Sequence, residues 1–426
     1  MKKLVKRILL ILLAVLIAVQ APFIYRRYKI GQLAAQIEEL NRAPREILPA
    51  GDAKYKEYKG IIHAHTSLGG HSTGSFDELI AAAAENDLDF VILTEHWSDT
   101  VDTAALTLNG VYGKTLFIGG NEIDTEDSDR FLMIPGSGEA AALRRMPTTT
   151  VIEKLHAENR LALVTYPEKF KSWDSNFDGI EVFSLHTNAK KMDPFTAIFD
   201  AIWSFPTYPE LMLTTYFKRP DENLQKFDEV AAKRNISLFA GTDAHSNVGF
   251  HLFGDDSGNK GLKIKIDDYT TIFKLARQHV LIEKDKPLTR ETLLEALKAG
   301  RSFIGFDAIG DTSGFRFEAV RTDQESDANV ESVTMGSQMS DNSLSFRVTS
   351  PKEARFVIFR NGEKFSECIP ERQVTIDIDI PLNSQLCSNH GVGYGQGTYR
   401  VEVYLDQLGP PFDKMPWIIS NPIYVR

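Results

Sequence analysis

The stretch Gly60-Ile61-Ile62-His63-Ala64-His65-Thr66, followed by His71-Ser72 and then by Val91-Ile92-Leu93-Thr94-Glu95-His96, decides how this 426-residue chain is read. Two histidines two residues apart on a strand present both imidazoles on one face, close enough to hold one cation between them. Between the two runs, Ser75-Phe76-Asp77-Glu78 has the spacing of a capping box, so a helix is expected to begin there. Its apolar positions Phe76, Leu79, Ile80, Ala83 and Ala84 follow the i, i+3, i+4 pattern. Residues 89–94 are a short apolar run of the kind buried in a parallel sheet. The segment therefore reads as a βαβ unit. His63, His65, His71 and His96 fall at or just beyond the carboxyl ends of its strands, where parallel α/β folds build their sites.

Working outward, Leu116-Phe117-Ile118-Gly119-Gly120-Asn121-Glu122 is a further strand ending in a carboxylate, followed by the apolar run 131–134. Helical spacing through Val151, Ile152 and Leu155 precedes another strand over 161–166. Residues 179–184 and 236–242 are two more, the second running into Asp243-Ala244-His245. Strands alternating with helical segments mean a parallel α/β sheet or barrel. The aromatic-rich stretch 186–235 is expected to pack as inserted helices over one end of it. From about Phe315 the pattern becomes strict alternation, with Arg360-Asn361-Gly362-Glu363 as a hairpin turn, so a small β-sandwich is expected. The expected domains are 1–52, an anchor and linker; 53–310, the α/β body; and 311–426, the sandwich.

A net charge of −10 without a long basic block argues against nucleic acid as the main partner. Residues 8–25 are apolar apart from Gln20 and are flanked by basic residues on both sides, long enough to cross a bilayer of about 30 Å. A cleaved signal peptide is the rival reading, since Val19-Gln20-Ala21 resembles a cleavage site. Pro22 and the apolar residues that continue to Tyr25 favour an uncleaved single-pass anchor, with the body on the extracytoplasmic side. The two cysteines, Cys368 and Cys387, suit either a disulfide in an oxidising compartment or a pair of buried thiols.

Collected, the strand-end residues are His63, His65, His71, His96, Glu122, Asp243 and His245. Each alone is an ordinary polar residue at a strand end; together, on successive strands of one expected sheet, they point to a metal centre. The ordered set His63-Ala64-His65-Thr66, His71-Ser72, Thr94-Glu95-His96, Gly120-Asn121-Glu122 and Gly241-Thr242-Asp243-Ala244-His245 resembles the PHP family, the phosphoesterase domain named for bacterial polymerases and histidinol phosphatases. The likeness covers roughly residues 55–307. Residues 294–303, with Trp417-Ile418-Ile419-Ser420-Asn421-Pro422, are similar to the CehA/McbA-type branch, which carries a C-terminal β domain.

The resemblance implies a distorted (β/α)7 barrel with two or three divalent metals. It implies a first metal on His63, His65, Glu122 and Asp243, and a second on His71, His96 and the bridging Glu122. The sequence departs from the family where Tyr166 stands before Pro167, and at Ser128-Asp129-Arg130-Phe131; a histidine is expected in each place. That leaves His245 as the clearest survivor of a third set, so a two-metal site is expected, with Tyr166 or Arg130 contacting substrate. His186 is a further candidate for ligand or substrate contact. The family's Asp two residues before the first histidine is Ile61 here, which removes support for that ligand.

Imidazole and carboxylate donors suit zinc, manganese or iron alike. The expected reaction is phosphoester hydrolysis of a phosphorylated small molecule or envelope component. His245 is the candidate to protonate the leaving oxygen, and Glu95 to orient a ligand histidine. The alternatives are carbamate or ester hydrolysis on the same site, and a non-catalytic envelope binding module. His156, His279 and His390 read as structural.

Overall fold

The computed structural model describes residues 2–42, 54–247, 249–254, 260–321, 332–339, 344–368, 375–378, 387–389 and 395–426. The Pro44–Pro49 linker and His390 lie outside them. Strand β1 (Tyr55–Ala64) runs parallel to β2 (Phe90–His96), with Ile62 opposite Ile92. The helix between them, Phe76–Glu85, starts as its spacing predicts: Ser75 Oγ accepts from Glu78 N–H at 3.2 Å, and the Glu78 carboxylate accepts from Ser75 N–H at 3.1 Å. The short strand β3 (Gly110–Tyr112) forms a hairpin with β4 (Thr115–Asp124), and β4 lies parallel to β2 with Glu122 directly opposite His96. Next comes β5 (Arg130–Ile134), which is antiparallel to both β4 and β6 (Leu161–Val164). The link from Asp124 to Arg130 is too short for the crossover a parallel neighbour needs, so this one strand runs against the alternation expected from sequence. Parallel pairing resumes through β7 (Gly179–Ser184) and β8 (Ser237–Gly241).

Alternate residues of these strands enter two apolar clusters, Ile61, Val91, Leu93 and Val164 on one face and Ile62, Ile92, Ile118 and Leu163 on the other. Burial of both faces is what a sheet covered by crossover helices requires. The seam between β8 and β1 is interrupted. The two strands meet only at their carboxyl ends, in the Ala64–Ala244 bridge and in hydrogen bonds from Thr242 N–H to Ile62 O (3.1 Å), Thr242 Oγ1 to His63 O (2.7 Å), Asp243 N–H to His63 O (2.6 Å) and His65 N–H to Ala244 O (3.0 Å). Lower down, side-chain amides take the edge groups of β8. Asn421 accepts from Leu238 N–H at 2.7 Å and donates to Leu238 O at 3.0 Å, and Gln278 accepts from Ala240 N–H at 3.3 Å. A buried strand edge cannot leave those groups unpaired.

The hairpin of β9 (Gly249–Gly254) and β10 (Lys260–Lys265) precedes β11 (Arg277–Glu283), which adds antiparallel to β1; β12 (Ser302–Gly305) adds to β11. Strand Ile418–Ser420 then pairs with β12, so the hydrogen-bonded sheet continues into the C-terminal strands. There a sheet of Arg316–Arg321, Ser332–Thr334, Leu344–Thr349 and Thr375–Ile378 packs on a second one through Phe346 and Tyr399, ring centres 4.7 Å apart. The Asn361-Gly362 turn has both residues at positive φ, 51° and 85°, as this hairpin type demands. Cys368 is disulfide-bonded and lies opposite Cys387 in the strand register.

The N-terminal helix α1 (Lys2–Arg42) is unbroken through Pro22 and is long and apolar enough to be a candidate membrane span or signal sequence. Its second half packs against the body of the protein. Phe23, Ile30, Leu33 and Ile37 are buried, and Arg26 grips the buried Asp200 carboxylate.

Candidate metal centre

The histidine and carboxylate side chains expected to converge do so at the carboxyl ends of β1, β2 and β8 and inside β4. His63, His65, Glu122 and Asp243 are all buried, and each offers a donor atom within 4.8 Å of the others. His65 Nε2 lies 3.2 Å from Asp243 Oδ1 and 3.6 Å from Glu122 Oε2; His63 Nε2 lies 3.5 Å from Asp243 Oδ1 and 3.8 Å from Glu122 Oε1. His63 Nε2, both ring nitrogens of His65, Glu122 Oε1 and Asp243 Oδ1 have no hydrogen-bond partner although buried. Buried polar atoms aimed at one another without partners are costly unless a cation joins them. The donor set, two imidazoles and two carboxylates, therefore fits a divalent metal.

Local backbone geometry makes the convergence. The β1–β2 register slips between Ile62 and Ala64, and His63 at this bulge has φ 68°. Asp243 follows β8 at φ 49°, locked to His63 by the backbone bond already described. Non-glycine residues held at positive φ mark sites where the surroundings override backbone preference.

The second expected set is looser. His96 Nδ1 sits 3.4 Å from Glu122 Oε2, while His71, on an exposed loop, meets the His96 ring edge-on at 5.0 Å between centres. His245 stacks on His65 at 4.4 Å, and His65, His96 and His245 form a second close donor group. His245 Nδ1 lies 2.8 Å from its neighbour Asp243 O, and since a carbonyl only accepts, Nδ1 carries the proton and Nε2 a lone pair.

Burial, together with the charge of His65, pushes His96 down to about 3 and His245 down to about 4, so both imidazoles are neutral at pH 7. Burial pushes the Glu122 carboxyl up, but the neighbouring His63 and His65 outweigh it and bring it down to about 2. Burial acts the same way on Asp243, and His63 and His65 hold it well below the usual carboxylate range. Burial draws His63 down, yet Glu181 and Asp243 hold it well above the usual imidazole range. The negative field that favours a proton on His63 is the field a divalent cation would compete for.

Three expected residues have other company. Glu95 is buried with no histidine partner; it accepts from Thr66 Oγ1 (2.7 Å), Thr66 N–H (3.0 Å) and Thr107 Oγ1 (2.8 Å), and so ties down the loop after β1. Strand alternation explains this, because His96 faces the centre and Glu95 must face away. Tyr166 donates to Asp243 Oδ2 at 2.6 Å; burial and Asp243 push its phenol far up, so it stays a donor. Arg130 bonds Asp124 at 2.7 Å and stands 3.6 Å from Glu122. Both line a cavity of about 510 Å³ over the centre, together with His186, whose ring is 6.0 Å from that of His245, Arg144 and Lys190.

One functional residue escaped the sequence reading. Glu181, in the middle of the otherwise uncharged strand β7, lies with its Oε1 2.8 Å from His63 Nδ1. It supplies the carboxylate support that Ile61 does not. Room for it comes from Gly241, where a Cβ would lie 1.5 Å from Glu181 Oε1 and 3.1 Å from His63 Nδ1. A lone carboxylate in a wholly buried strand was the available signal, since such a charge must be paired.

What this geometry defines is a mixed α/β protein with a buried histidine–carboxylate centre able to hold a divalent cation. No family model matches the sequence, and none of the curated proteins matches it. Among solved structures it is similar to PsfC from Pseudomonas syringae PB-5123, at 12% identity over 60% of this chain and 94% of that one, with a TM-score of 0.36. It is also similar to a two-domain protein containing a predicted PHP-like metal-dependent phosphoesterase from Bacteroides vulgatus ATCC 8482, at 13% identity over 89% and 99%, TM-score 0.39. Endonuclease Q, in complex with a 27-mer duplex bearing an abasic lesion, is similar at 11% identity over 57% of each chain, TM-score 0.34. Likeness at this level leaves the chemistry of the site to be read from its own donors.

Proposed function

We propose that the chain is a membrane-anchored, metal-dependent phosphoester hydrolase of the PHP kind. In this reading residues 53–310 form a distorted (β/α)7 barrel and residues 311–426 a supporting β domain. The observation that carries it is the buried group His63, His65, Glu122 and Asp243, whose orphaned atoms face one another beneath a cavity edged by Arg130, Arg144 and Lys190. These four hold a first divalent ion, and His96, His71 and Glu122 a second; zinc, manganese and iron all suit the donors. Such ions supply Lewis acidity toward a phosphoryl oxygen and lower the pKa of water.

The protein's own groups do the rest. Glu181 fixes the His63 tautomer, and Tyr166 orients Asp243 through its hydroxyl. Arg130 and Lys190 face the cavity with charge complementary to a phosphate. His245, neutral at pH 7 with its Nε2 lone pair free, suits a ligand or acceptor role better than that of the acid expected for it. Its place beside His65 and His96 makes it the natural ligand of a third ion.

The test is metal content of the full-length protein together with hydrolysis of a panel of phosphomonoesters, phosphodiesters, an aryl carbamate and an abasic-site duplex, with zinc, manganese or iron. Stoichiometric metal and turnover confined to phosphoesters support the reading. Absence of bound metal, or turnover of the carbamate alone, overturns it.

A further inference from the structure

Helix Pro194–Trp203 carries a large apolar face that the described residues leave largely uncovered: Phe195 is 58%, Ile198 49% and Ile202 58% exposed. At 100° per residue the three fall within an arc of about 60°. On the opposite side of the same helix Asp200 is fully buried, held by Arg26 and Tyr216. Three large apolar side chains on one stripe form a patch that a water-soluble surface rarely leaves open.

The position of this helix says what covers it. Residues 8–25 of α1 are apolar apart from Gln20 and almost all exposed, and at 1.5 Å per residue they extend about 27 Å, close to the thickness of a hydrocarbon core. Helix Pro194–Trp203 packs against the far end of that run. Phe23 stacks on Phe199 at 4.6 Å and meets Phe195 at 5.9 Å, and Trp203 Nε1 donates to Gln20 at 2.8 Å. Just beyond come Arg26, Arg27 and Lys29, with Tyr25 and Tyr28 exposed beside them, the aromatic and basic residues that favour a membrane–water boundary.

From this continuity of one exposed apolar surface with another, we propose that helix Pro194–Trp203 is a second membrane contact, lying in the bilayer interface with Phe195, Ile198 and Ile202 in the acyl boundary. The proposal rests on the reading of α1 as a membrane anchor. It has a consequence for the site, because helix Leu185–Lys190, which brings His186 and Lys190 to the cavity, is carried on the same segment. The cavity is then held at the lipid surface rather than swinging on a tether.

Full-length protein in phosphatidylcholine–phosphatidylglycerol vesicles tests this, with a fluorophore on a single added cysteine at Ile198→Cys, Ile202→Cys, Leu12→Cys or Glu295→Cys. Cys368, being disulfide-bonded, does not compete for the label. The expected result is that brominated acyl chains quench most of the emission at positions 12, 198 and 202, with a blue shift, while Glu295→Cys is quenched by aqueous iodide only. Quenching at 12 but iodide access at 198 and 202 overturns the proposal and leaves the anchor intact. Protection of 198 and 202 from both quenchers makes the stripe an interface between copies, which also overturns it. Iodide access at position 12 removes the anchor and the proposal together.

Discussion

Replacing Glu181 by Gln keeps the shape of the side chain and removes one charge from behind His63. In the native protein the carboxylate accepts from Nδ1–H at 2.8 Å, which leaves Nε2, directed at Glu122 and Asp243, as the nitrogen at which a cation would replace the proton. An amide at that position can donate instead, favouring the tautomer with the proton on Nε2, where a metal would need the lone pair. A buried hydrogen bond to a charged group is worth about 1.5–3 kcal/mol, and loss of carboxylate support behind a ligand histidine costs about 10–100-fold in metal affinity. The two ranges agree, because tenfold is about 1.4 kcal/mol. The assay is competition for zinc or manganese against a chelator at neutral pH, with the melting temperature of the metal-free protein as a control for folding. Gly241→Ala should reproduce the loss, since its Cβ would stand 1.5 Å from Glu181 Oε1 and force that carboxylate off His63. In a Glu181→Ala background the severe clash is gone and only the 3.1 Å approach to His63 Nδ1 remains, so Gly241→Ala should add little, and the pair should be strongly non-additive. An affinity for Glu181→Gln within about twofold of native, or additive losses, would refute Glu181 as the positioning residue.

Asp243→Ala should abolish both stoichiometric metal and hydrolysis; turnover that persists unchanged would count against the assignment of the centre. Tyr166→Phe removes the 2.6 Å donor to the Asp243 carboxylate, and at about 1.5–3 kcal/mol should weaken metal binding roughly 10–100-fold while leaving the protein folded. His279 gives a test remote from the metal centre. Burial draws its pKa down, but Asp307 and Glu57 outweigh this and raise it to about 9. The folded value lies above the unfolded one of 6.5, so its stabilisation is complete below pH 6.5 and is lost as pH rises through 9, roughly 3 kcal/mol in all. Melting temperatures at pH 6 and pH 9.5 should show this alkaline fall in the native protein and little of it in His279→Gln; parallel curves would overturn the account.

The strand-end histidines were legible because metal donors are chemically rare and recur at the same end of each strand. Plain alternation puts His63 and His65 on one face, but His63 sits at a bulge and His65 beyond the strand end, so the backbone slip between Ile62 and Ala64 aims them. The two glutamates show how proximity in sequence misleads. Glu95 adjoins His96, yet period-two geometry turns it towards Thr66 and Thr107; Glu181, far from any histidine in sequence, reaches His63 across the sheet. The reversed strand β5 follows from loop length and was readable in principle. The seam of β8 was not, because the partners of Leu238 are side chains, above all Asn421, which lies 183 positions away.

That seam bears on the site itself. Where β8 lacks a strand beside it, Asn421 and Gln278 hold its lower half, and only the end that carries Asp243 is tied directly to β1, through Asp243 N–H and His63 O. The two ligand-bearing segments are thereby joined by backbone at the donors, with both residues held at positive φ. Such a conformation costs about 1–3 kcal/mol per residue and persists only where the surroundings over-determine it. The Trp417–Pro422 stretch, far from the chemistry in sequence, is among those surroundings: Trp417 donates to Gly310 O at 2.8 Å, and Asn421 bonds both β8 and Ser302. The C-terminal strands are therefore hydrogen-bonded to the strand that leads into the candidate centre. They brace the strand whose far end presents Asp243, without contributing a donor of their own among the described residues.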